Sequence, residues 1–131
     1  MTIREIVEKY YDCANRGAWD ECLALISDDF TGDDQLVGHI AGIDVLRKAI
    51  DAISGGKGVF LAYPQHTLAD GDAACVIWRY EGKNAQGVKI AYPGDADRPV
   101  LGATYFQVQN GKITYMRTIH DSVPFVNPAR P

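Results

Sequence analysis

The aspartate pair Asp33–Asp34 is the first feature of this sequence that could carry chemistry. It lies in the stretch DDFTGDDQLVG, residues 28–38, which holds four aspartates. Side chains alternate between the two faces of a strand, so Asp34 shares a face with Gly32 and Leu36, and Asp33 lies among polar neighbours on the other face. The pattern predicts that Asp34 points inward and that Asp33 is an ordinary solvated acid. The alternatives are that both face water, or that Asp34 caps the following turn.

Tyr10 is the second candidate, because it lies on the apolar stripe of the first predicted helix. A buried phenol needs a hydrogen-bond partner, and the bland alternative is a core tyrosine bonded to backbone. A carboxylate and a phenol in one apolar pocket suit proton abstraction next to a carbonyl, in which the base takes the proton and the phenol stabilises the enolate. Burial is expected to raise the pKa of Asp34 and make it a better base near neutral pH.

The last predicted hairpin carries further polar candidates. Neighbours on a strand point to opposite faces, so His120 and Asp121 do not orient each other unless a bulge intervenes. A two-residue loop at Asn110–Gly111 would place Phe106 with the odd-numbered residues of the last strand. A three-residue loop with a glycine bulge would place it with the even-numbered set that includes His120. Both remain open, and an inward histidine is often simply a satisfied core residue.

Periodicity predicts the elements that must position these residues. A capping box of Thr2 and Glu5 opens a first helix that ends at Gly17, and a second short helix follows and includes Ile26. After a short strand-like segment at 30–38, a third helix covers Ile43–Ile53. Strands are predicted at 58–70, 73–84, 87–92, 100–109 and 112–121. This order predicts an α+β fold, a cone-shaped curved antiparallel sheet with three N-terminal helices that enclose a pocket.

Composition restricts the classes of protein further. The 131 residues fit one domain, 1–131, with a loose C-terminal tail at 122–131. A net charge of −4 without a basic run argues against nucleic acid. No apolar run approaches the roughly 18 residues of a membrane span, and the N-terminus lacks the apolar region of a signal peptide, so a cytoplasmic location is expected. The cysteines, His39 and His66 show no ligand spacing, and no metal site is predicted.

Trp78 and Tyr80 share one face of a predicted strand with Ala74 and Val76. This face could belong to the core, to a dimer surface or to the wall of the pocket, and the sequence leaves the choice open. The candidate substrate-binding residues are those that could line the predicted pocket: Leu36, Phe106, Met116, Thr118 and Trp78.

The stretch from Tyr10 to Asp34 resembles the N-terminal part of the ketosteroid isomerases. These enzymes belong to the nuclear transport factor 2-like superfamily, together with SnoaL-like polyketide cyclases and limonene epoxide hydrolases. The third helix, GIDVLRKAI, and the last hairpin, ATYFQVQNGKITYMRTIH, are also similar to the superfamily, so the resemblance covers most of the chain. It implies the cone-like α+β fold and a homodimer formed through the outer face of the sheet.

The resemblance also implies roles for single residues. Tyr10 matches the oxyanion-hole tyrosine of the isomerases, and Asp34 matches their catalytic base. Thr104 stands where those enzymes keep a protonated aspartic acid as the second oxyanion donor. Thr118 stands where the SnoaL-like cyclases have a catalytic aspartate. His120 matches a pocket aromatic of the isomerases, which favours the even-numbered set as the inward one.

Two classes of function follow. The first is a cofactor-independent isomerase or cyclase that transfers a proton next to the carbonyl of a small apolar substrate, with Asp34, Tyr10, Thr104 and His120 as its catalytic residues. An epoxide hydrolase-like reaction, in which Asp34 acts on a water, is a variant of it. The second is a non-catalytic ligand-binding or dimerisation module of the same fold, since a fold alone does not decide function.

Overall fold

Six strands and four helices form the described part of the chain, with three of the helices in its N-terminal part. This computed structural model describes residues 1–53, 61–84 and 86–126. The helices are α1 (Ile3–Arg16), α2 (Trp19–Leu23), α3 (Ile43–Ile53) and α4 (Val123–Val126). The strands are β1 (Ile26–Asp34), β2 (Gly38–Ala41), β3 (Ala62–Asp70), β4 (Ala73–Tyr80), β5 (Val100–Gln109) and β6 (Lys112–His120).

Helix α1 begins and ends where the sequence predicts. The Thr2 hydroxyl accepts from the Glu5 backbone N–H at 3.1 Å, and the Glu5 carboxylate accepts from the Thr2 N–H at 3.0 Å, which confirms the capping box. Gly17 ends the helix in the left-handed conformation with φ 71°. The Asn15 side chain then makes two hydrogen bonds with the backbone of Ala62, at 2.7 and 3.0 Å, and so fixes α1 to the start of β3.

The strands form one sheet in the order β2-β1-β6-β5-β4-β3. The α+β class, the curved sheet and the N-terminal helices are as predicted. The sheet is not wholly antiparallel, however, because β1 and β6 run parallel while the other neighbours are antiparallel. No turn signal joins strands so far apart in the sequence, so local patterns could not predict this pair.

Two element boundaries differ from prediction around β1. Ile26 belongs to β1 rather than to the second helix, because it pairs with Ile113 of β6 and the Ile113 N–H donates to the Leu25 carbonyl at 2.8 Å. This tertiary pairing outweighs the helical spacing of the apolar residues. The segment Gly38–Ala41, which the sequence did not predict as a strand, pairs with Thr31–Asp34 as an edge hairpin.

Other differences lie near the ends of the long strands. The predicted strand at 87–92 makes only isolated bridges, Lys83 with Lys89 and Tyr92 with Asp95, although Ile90 is buried. Within the predicted loose tail, Val123–Val126 fold as α4. The predicted strand start at 58–60 and the tail beyond 126 lie outside the described residues. In the described part of the chain, no helix is long and apolar enough to cross a membrane.

The last hairpin settles which residues face inward. Asn110 and Gly111 have φ values of 53° and 75° and form a two-residue turn between the paired Gln109 and Lys112. A bulge then shifts the register, since Val108 pairs with Ile113 but Gln107 pairs with Tyr115. The turn is therefore the two-residue type, and the bulge nevertheless puts Phe106 opposite Met116 and on the face shared by the even-numbered residues.

Candidate functional site

A polar row crosses the inner face of the sheet. Asp34 of β1 pairs with Thr118 of β6, which pairs with Thr104 of β5. Directly paired residues project from the same face, so these three side chains lie side by side. On one side of them is an apolar row in which Met116 lies between Gly32 and Phe106. The site therefore arises from strand register rather than from a contiguous motif.

Helices α1 and α3 cover this row and leave a cavity. The helices contribute Tyr10, Tyr11, Leu46, Ala49 and Ile50 to its wall, and the sheet contributes Asp34, Ile40, Thr104, Met116 and Thr118. The volume of the cavity is about 30 Å³, which is enough for roughly two waters. Asp34 and Tyr10 thus open onto one small, largely apolar cavity.

Asp34 faces inward, as predicted, and it also caps the following turn, which was one of the alternatives. Its Oδ1 accepts from the N–H groups of Leu36 at 2.7 Å and Val37 at 3.1 Å. The same oxygen lies 3.6 Å from Nε2 of His120. Among the described residues no hydrogen-bond donor reaches Oδ2, which leaves that oxygen as the one available to a ligand.

The pKa of Asp34 is lowered, so the expectation that burial would raise it is wrong. Burial does raise this pKa, but the imidazole of His120, 3.6 Å away, and the hydrogen bonds from the N–H groups of Leu36 and Val37 together outweigh it. The Asp34 side chain is only 10% exposed, yet it stays ionised near neutral pH. It is a weaker base than the sequence suggested, with its charge already stabilised.

The imidazole of His120 lies 3.6 Å from Asp34, and the contacts of its two ring nitrogens indicate which of them carry protons. Its Nδ1 is 3.2 Å from the carbonyl oxygen of Asp121, which can only accept, so we assign a proton to Nδ1. A neutral ring would then turn the Nε2 lone pair toward a carboxylate. Burial lowers the pKa of His120, but the nearby Asp34 carboxylate and the Asp121 carbonyl raise it overall. The contacts therefore favour an imidazolium beside the Asp34 carboxylate.

Aromatic rings enclose this imidazole. The ring of Phe125 from α4 lies 4.8 Å from that of His120, centroid to centroid, and the ring of Trp78 lies at 6.3 Å. The His120 side chain is 2% exposed. These rings exclude water, which is the burial that lowers the pKa of His120, and they also leave its interaction with Asp34 weakly screened by solvent.

Thr104 is engaged by its neighbours. Trp78 Nε1 donates to its Oγ1 at 3.0 Å, the Thr118 hydroxyl lies at 3.1 Å, and Thr104 also interacts with the Tyr11 phenol. Gly102 makes room for the indole, since a Cβ there would come within 2.3 Å of Trp78 carbons. A hydroxyl has one proton and two lone pairs, so an oxyanion would have to compete for the Thr104 proton.

Tyr10 is suited to donate a hydrogen bond. Its ring is buried in edge-to-face contact with Tyr11 at 5.3 Å and Phe106 at 5.8 Å. Burial first, and then Tyr11, Cys22 and the charge of Asp34, raise the pKa of Tyr10 well above its usual value. The phenol thus stays protonated at any ordinary pH. Burial raises the pKa of Tyr11 as well, although its interaction with Thr104 lowers it in part.

The structure separates the predicted site residues into two groups. Tyr10, Asp34, Thr104, Met116 and Thr118 line the cavity. The remaining candidates, His120, Trp78, Phe106 and Leu36, lie outside its wall and support residues that form it.

The sequence did not single out Tyr11, Asp33, Ile40, Leu46, Ala49 or Ile50 as wall residues. Tyr11 lay on the predicted apolar stripe next to Tyr10, and that position was the signal available for it.

Asp33 lies on the outer face, as predicted, but it is not simply solvated. It accepts from the Tyr115 hydroxyl at 2.6 Å, lies 3.0 Å from Nδ1 of His39 and forms an ion pair with Arg117 at 3.5 Å. These contacts, Tyr115 first, lower its pKa. The two neighbouring aspartates therefore each have a histidine partner, one pair buried at the cavity and one exposed.

Comparison with known proteins places the chain in a family. A profile for the SnoaL-like domain matches residues 7–116. The chain belongs to the SnoaL-like family. A search of functionally curated proteins gives no significant match to this SnoaL-like protein.

Solved structures share its fold at low sequence identity. A protein of unknown function with a cystatin-like fold from Xanthomonas campestris superposes with a TM-score of 0.73 at 17% identity, covering 98% of this chain and 97% of that one. A candidate ketosteroid isomerase from Kribbella flavida gives 0.69 at 21% identity, covering 90% and 76%. The epoxide hydrolase/cyclase-like enzyme SalBIII, from pyran ring formation in salinomycin, gives 0.69 at 20%, covering 92% and 91%.

Proposed function

We propose that this SnoaL-like protein is a cofactor-independent enzyme that transfers a proton next to the carbonyl of a small, mostly apolar molecule, leading to isomerisation or cyclisation. One observation carries the proposal. The buried, ionised Asp34 has one oxygen held by two backbone N–H groups, with His120 3.6 Å away, and it lines an apolar cavity that the protonated Tyr10 also lines.

In the proposed reaction, Oδ2 of Asp34 removes a proton from the carbon next to the carbonyl, and the Tyr10 hydroxyl donates to the resulting enolate oxygen. Asp34, whose proton can exchange with solvent, then delivers a proton to another carbon of the substrate, so an isomerisation needs no further reactant. Because the pKa of Asp34 is lowered, the base is weak. The substrate therefore needs an acidic carbon, such as one between a carbonyl and a double bond.

The size of the cavity supports a small substrate. Even a monocyclic ketone is larger than two waters, so its binding requires Leu46 and Ile50 of α3 to move away from Met116, and a fused ring system would require a larger movement. The Thr104–Thr118 pair offers hydroxyl groups to a second polar atom on the substrate. A monocyclic unsaturated ketone is the class that we expect.

The experiment uses a β,γ-unsaturated cyclohexenone in heavy water, with absorbance reporting the conjugated product and NMR reporting deuterium at the reacting carbons. Removing a general base is expected to lower the rate by about 10²–10⁴-fold, so Asp34→Asn should fall in this range. Asp33→Asn, its neighbour on the outer face, should keep the wild-type rate. Equal rates for wild type and Asp34→Asn across a panel of such ketones would refute the proposal.

A non-catalytic ligand-binding module is the second candidate. The hydroxyls of Thr104 and Thr118 bond to each other, and Trp78 already occupies Thr104, so no second acid faces Tyr10 across the cavity. In this case, small ketones or phenols should shift the NMR signals of wall residues such as Met116 without any deuterium exchange.

An epoxide hydrolase-like variant also has one observation in its favour, the room for roughly two waters beside Asp34. Here Oδ2 would take a proton from a water as that water attacks an epoxide carbon and the C–O bond breaks, and Asp34 would then return this proton to the alkoxide oxygen to give the diol. Opening of a small epoxide in ¹⁸O-labelled water, with the label in the diol and its loss in Asp34→Asn, would distinguish this reaction from isomerisation.

We also propose that the chain forms a homodimer through the outer face of the sheet. Strand register places His66, Ile77, Ala103 and Ile119 in one row and Leu68, Cys75, Tyr105 and Arg117 in the next. Several of the large apolar members are well exposed: Leu68 at 65%, Ile119 at 58% and Tyr105 at 38%. A continuous apolar face of this kind supports an interface between copies of the chain.

A further inference from the structure

We propose that Gln35 is a positioning residue that holds His120 against Asp34. The inference rests on the proposed function only in taking the Asp34–His120 pair as the working group. The contacts that support it belong to the strand ends, and the titration that tests it needs no turnover.

Strand β1 ends before it reaches the position beside His120. Parallel pairing of β1 with β6 ends at Asp34, opposite Thr118. The backbone N–H of Gln35 still donates to the Thr118 carbonyl at 3.1 Å, but the chain then turns through Leu36 and Val37. His120 lies two residues beyond Thr118, so no strand residue of β1 pairs with it.

The side chain of Gln35 takes the place of a strand beside His120. The backbone N–H of His120 donates to Oε1 of Gln35 at 2.9 Å, so a side-chain carbonyl takes the place of a main-chain carbonyl. On its other side His120 pairs with Gly102 of β5. The end of β6 is thus held on both sides, by a strand on one and by one amide on the other.

The hydrogen bond from His120 to Gln35 also affects the distance between His120 and Asp34. Gln35 follows Asp34 directly, so a single turn of chain carries both the carboxylate and the acceptor that fixes the backbone of its partner. Nε2 of His120 stays 3.6 Å from Oδ1 of Asp34 only while the two strand ends keep this spacing. The energy of a charge pair falls with distance, so fraying of β6 at His120 weakens the pair directly.

The experiment compares Gln35→Met, which keeps the length but removes the acceptor, with Gln35→Glu, which keeps an acceptor. Gln109→Met, at the exposed end of β5, is the matched control. The His120 imidazole is titrated by NMR, with its signal assigned by His120→Gln. In Gln35→Met the pKa of His120 should fall, because burial then outweighs a weakened pair, whereas Gln35→Glu and Gln109→Met should not lower it.

In the ketone assay Gln35→Met should lose about ten- to hundred-fold in kcat with little change in KM, as expected for a misplaced catalytic group, and Gln35→Glu should restore activity. A folded Gln35→Met variant with the wild-type His120 titration would overturn the inference. Amide hydrogen exchange on the wild-type protein gives a second test that needs no variant. The His120 N–H should be protected, and exchange at the rate of a free amide would equally overturn the inference.

If the wild-type protein turns over no ketone at all, the proposed function fails. The titration of Gln35→Met still decides the role of Gln35 in that case.

Discussion

Separating Asp34 from His120 should cost stability in a way that depends on pH. We propose a double-mutant cycle with Asp34→Asn, His120→Gln and the double variant, because the cycle isolates the interaction between the two side chains from their other contacts. Both substitutions keep a polar side chain of similar size. The interaction should appear as a difference between the destabilisation of the double variant and the sum of the destabilisations of the two single variants.

The structure sets the size of this effect. The charged atoms are 3.6 Å apart, and the side chains are 10% and 2% exposed, so the pair is screened far less than a surface ion pair. Coulomb's law with an effective dielectric constant of about 20 gives roughly 4–5 kcal/mol at this distance. Desolvation of both charges offsets much of that energy. We therefore expect a coupling free energy of about 1–3 kcal/mol.

The sign of the pH dependence follows from the two pKa shifts. The pKa of Asp34 is lowered from 3.8, so its contribution is complete above that value and is lost as the pH falls through the folded-state pKa. The pKa of His120 is raised from 6.5, so its contribution is complete below that value and is lost as the pH rises through the folded-state pKa. Coupling should be largest between pH 3.8 and 6.5.

Urea denaturation, followed by circular dichroism and tryptophan fluorescence, measures the four unfolding free energies at about pH 5.5 and about pH 9. The outer-face pair provides the matched control. Asp33 and His39 are 34% and 61% exposed, so the cycle of Asp33→Asn and His39→Gln should give a much smaller coupling. A buried-pair coupling no larger than that of the control at pH 5.5, or one that does not decrease at pH 9, would refute the reasoning.

Three further predictions concern the scaffold and the assembly. Asn15→Ala should lower the free energy of unfolding by about 1–3 kcal/mol, measured in urea, because it leaves two backbone groups of the buried Ala62 unpaired; a change below about 0.5 kcal/mol would contradict this. Gly102→Ala should cost about 1–3 kcal/mol and alter Trp78 fluorescence, since its Cβ would fall 2.3 Å from the indole; unchanged stability and emission would count against the packing described. Ile119→Lys should shift the sedimentation coefficient from dimer to monomer with the fold retained, whereas a wild-type monomer at all concentrations would exclude the proposed interface.

Local patterns predicted the parts of the molecule that depend on local geometry. The capping box of Thr2 and Glu5 and the left-handed Gly17 fixed α1, because each acts within one turn of chain. Alternation along the strand placed Asp34 inward and Asp33 outward. The same alternation could not decide the face of Phe106, since a bulge after the Asn110–Gly111 turn, rather than the turn itself, sets the register.

The electrostatics of the site depended on contacts that the sequence does not show. The pKa of Asp34 was predicted from burial alone, which has the opposite sign to the net shift. The groups that reverse it come from the turn at Leu36 and Val37 and from His120 on a strand whose parallel pairing with β1 has no local signal. Tyr10 was easier to place, because a single helix stripe determines its direction.

An NMR titration of His120 in wild type and in Asp34→Asn tests most directly whether a carboxylate and an imidazolium face each other at the cavity. The wild-type midpoint should lie above 6.5, and it should fall in Asp34→Asn, because burial then acts on the imidazole without the charge that opposes it. A wild-type midpoint below 6.5, or the same midpoint in both proteins, would contradict the ion pair on which the proposed function depends.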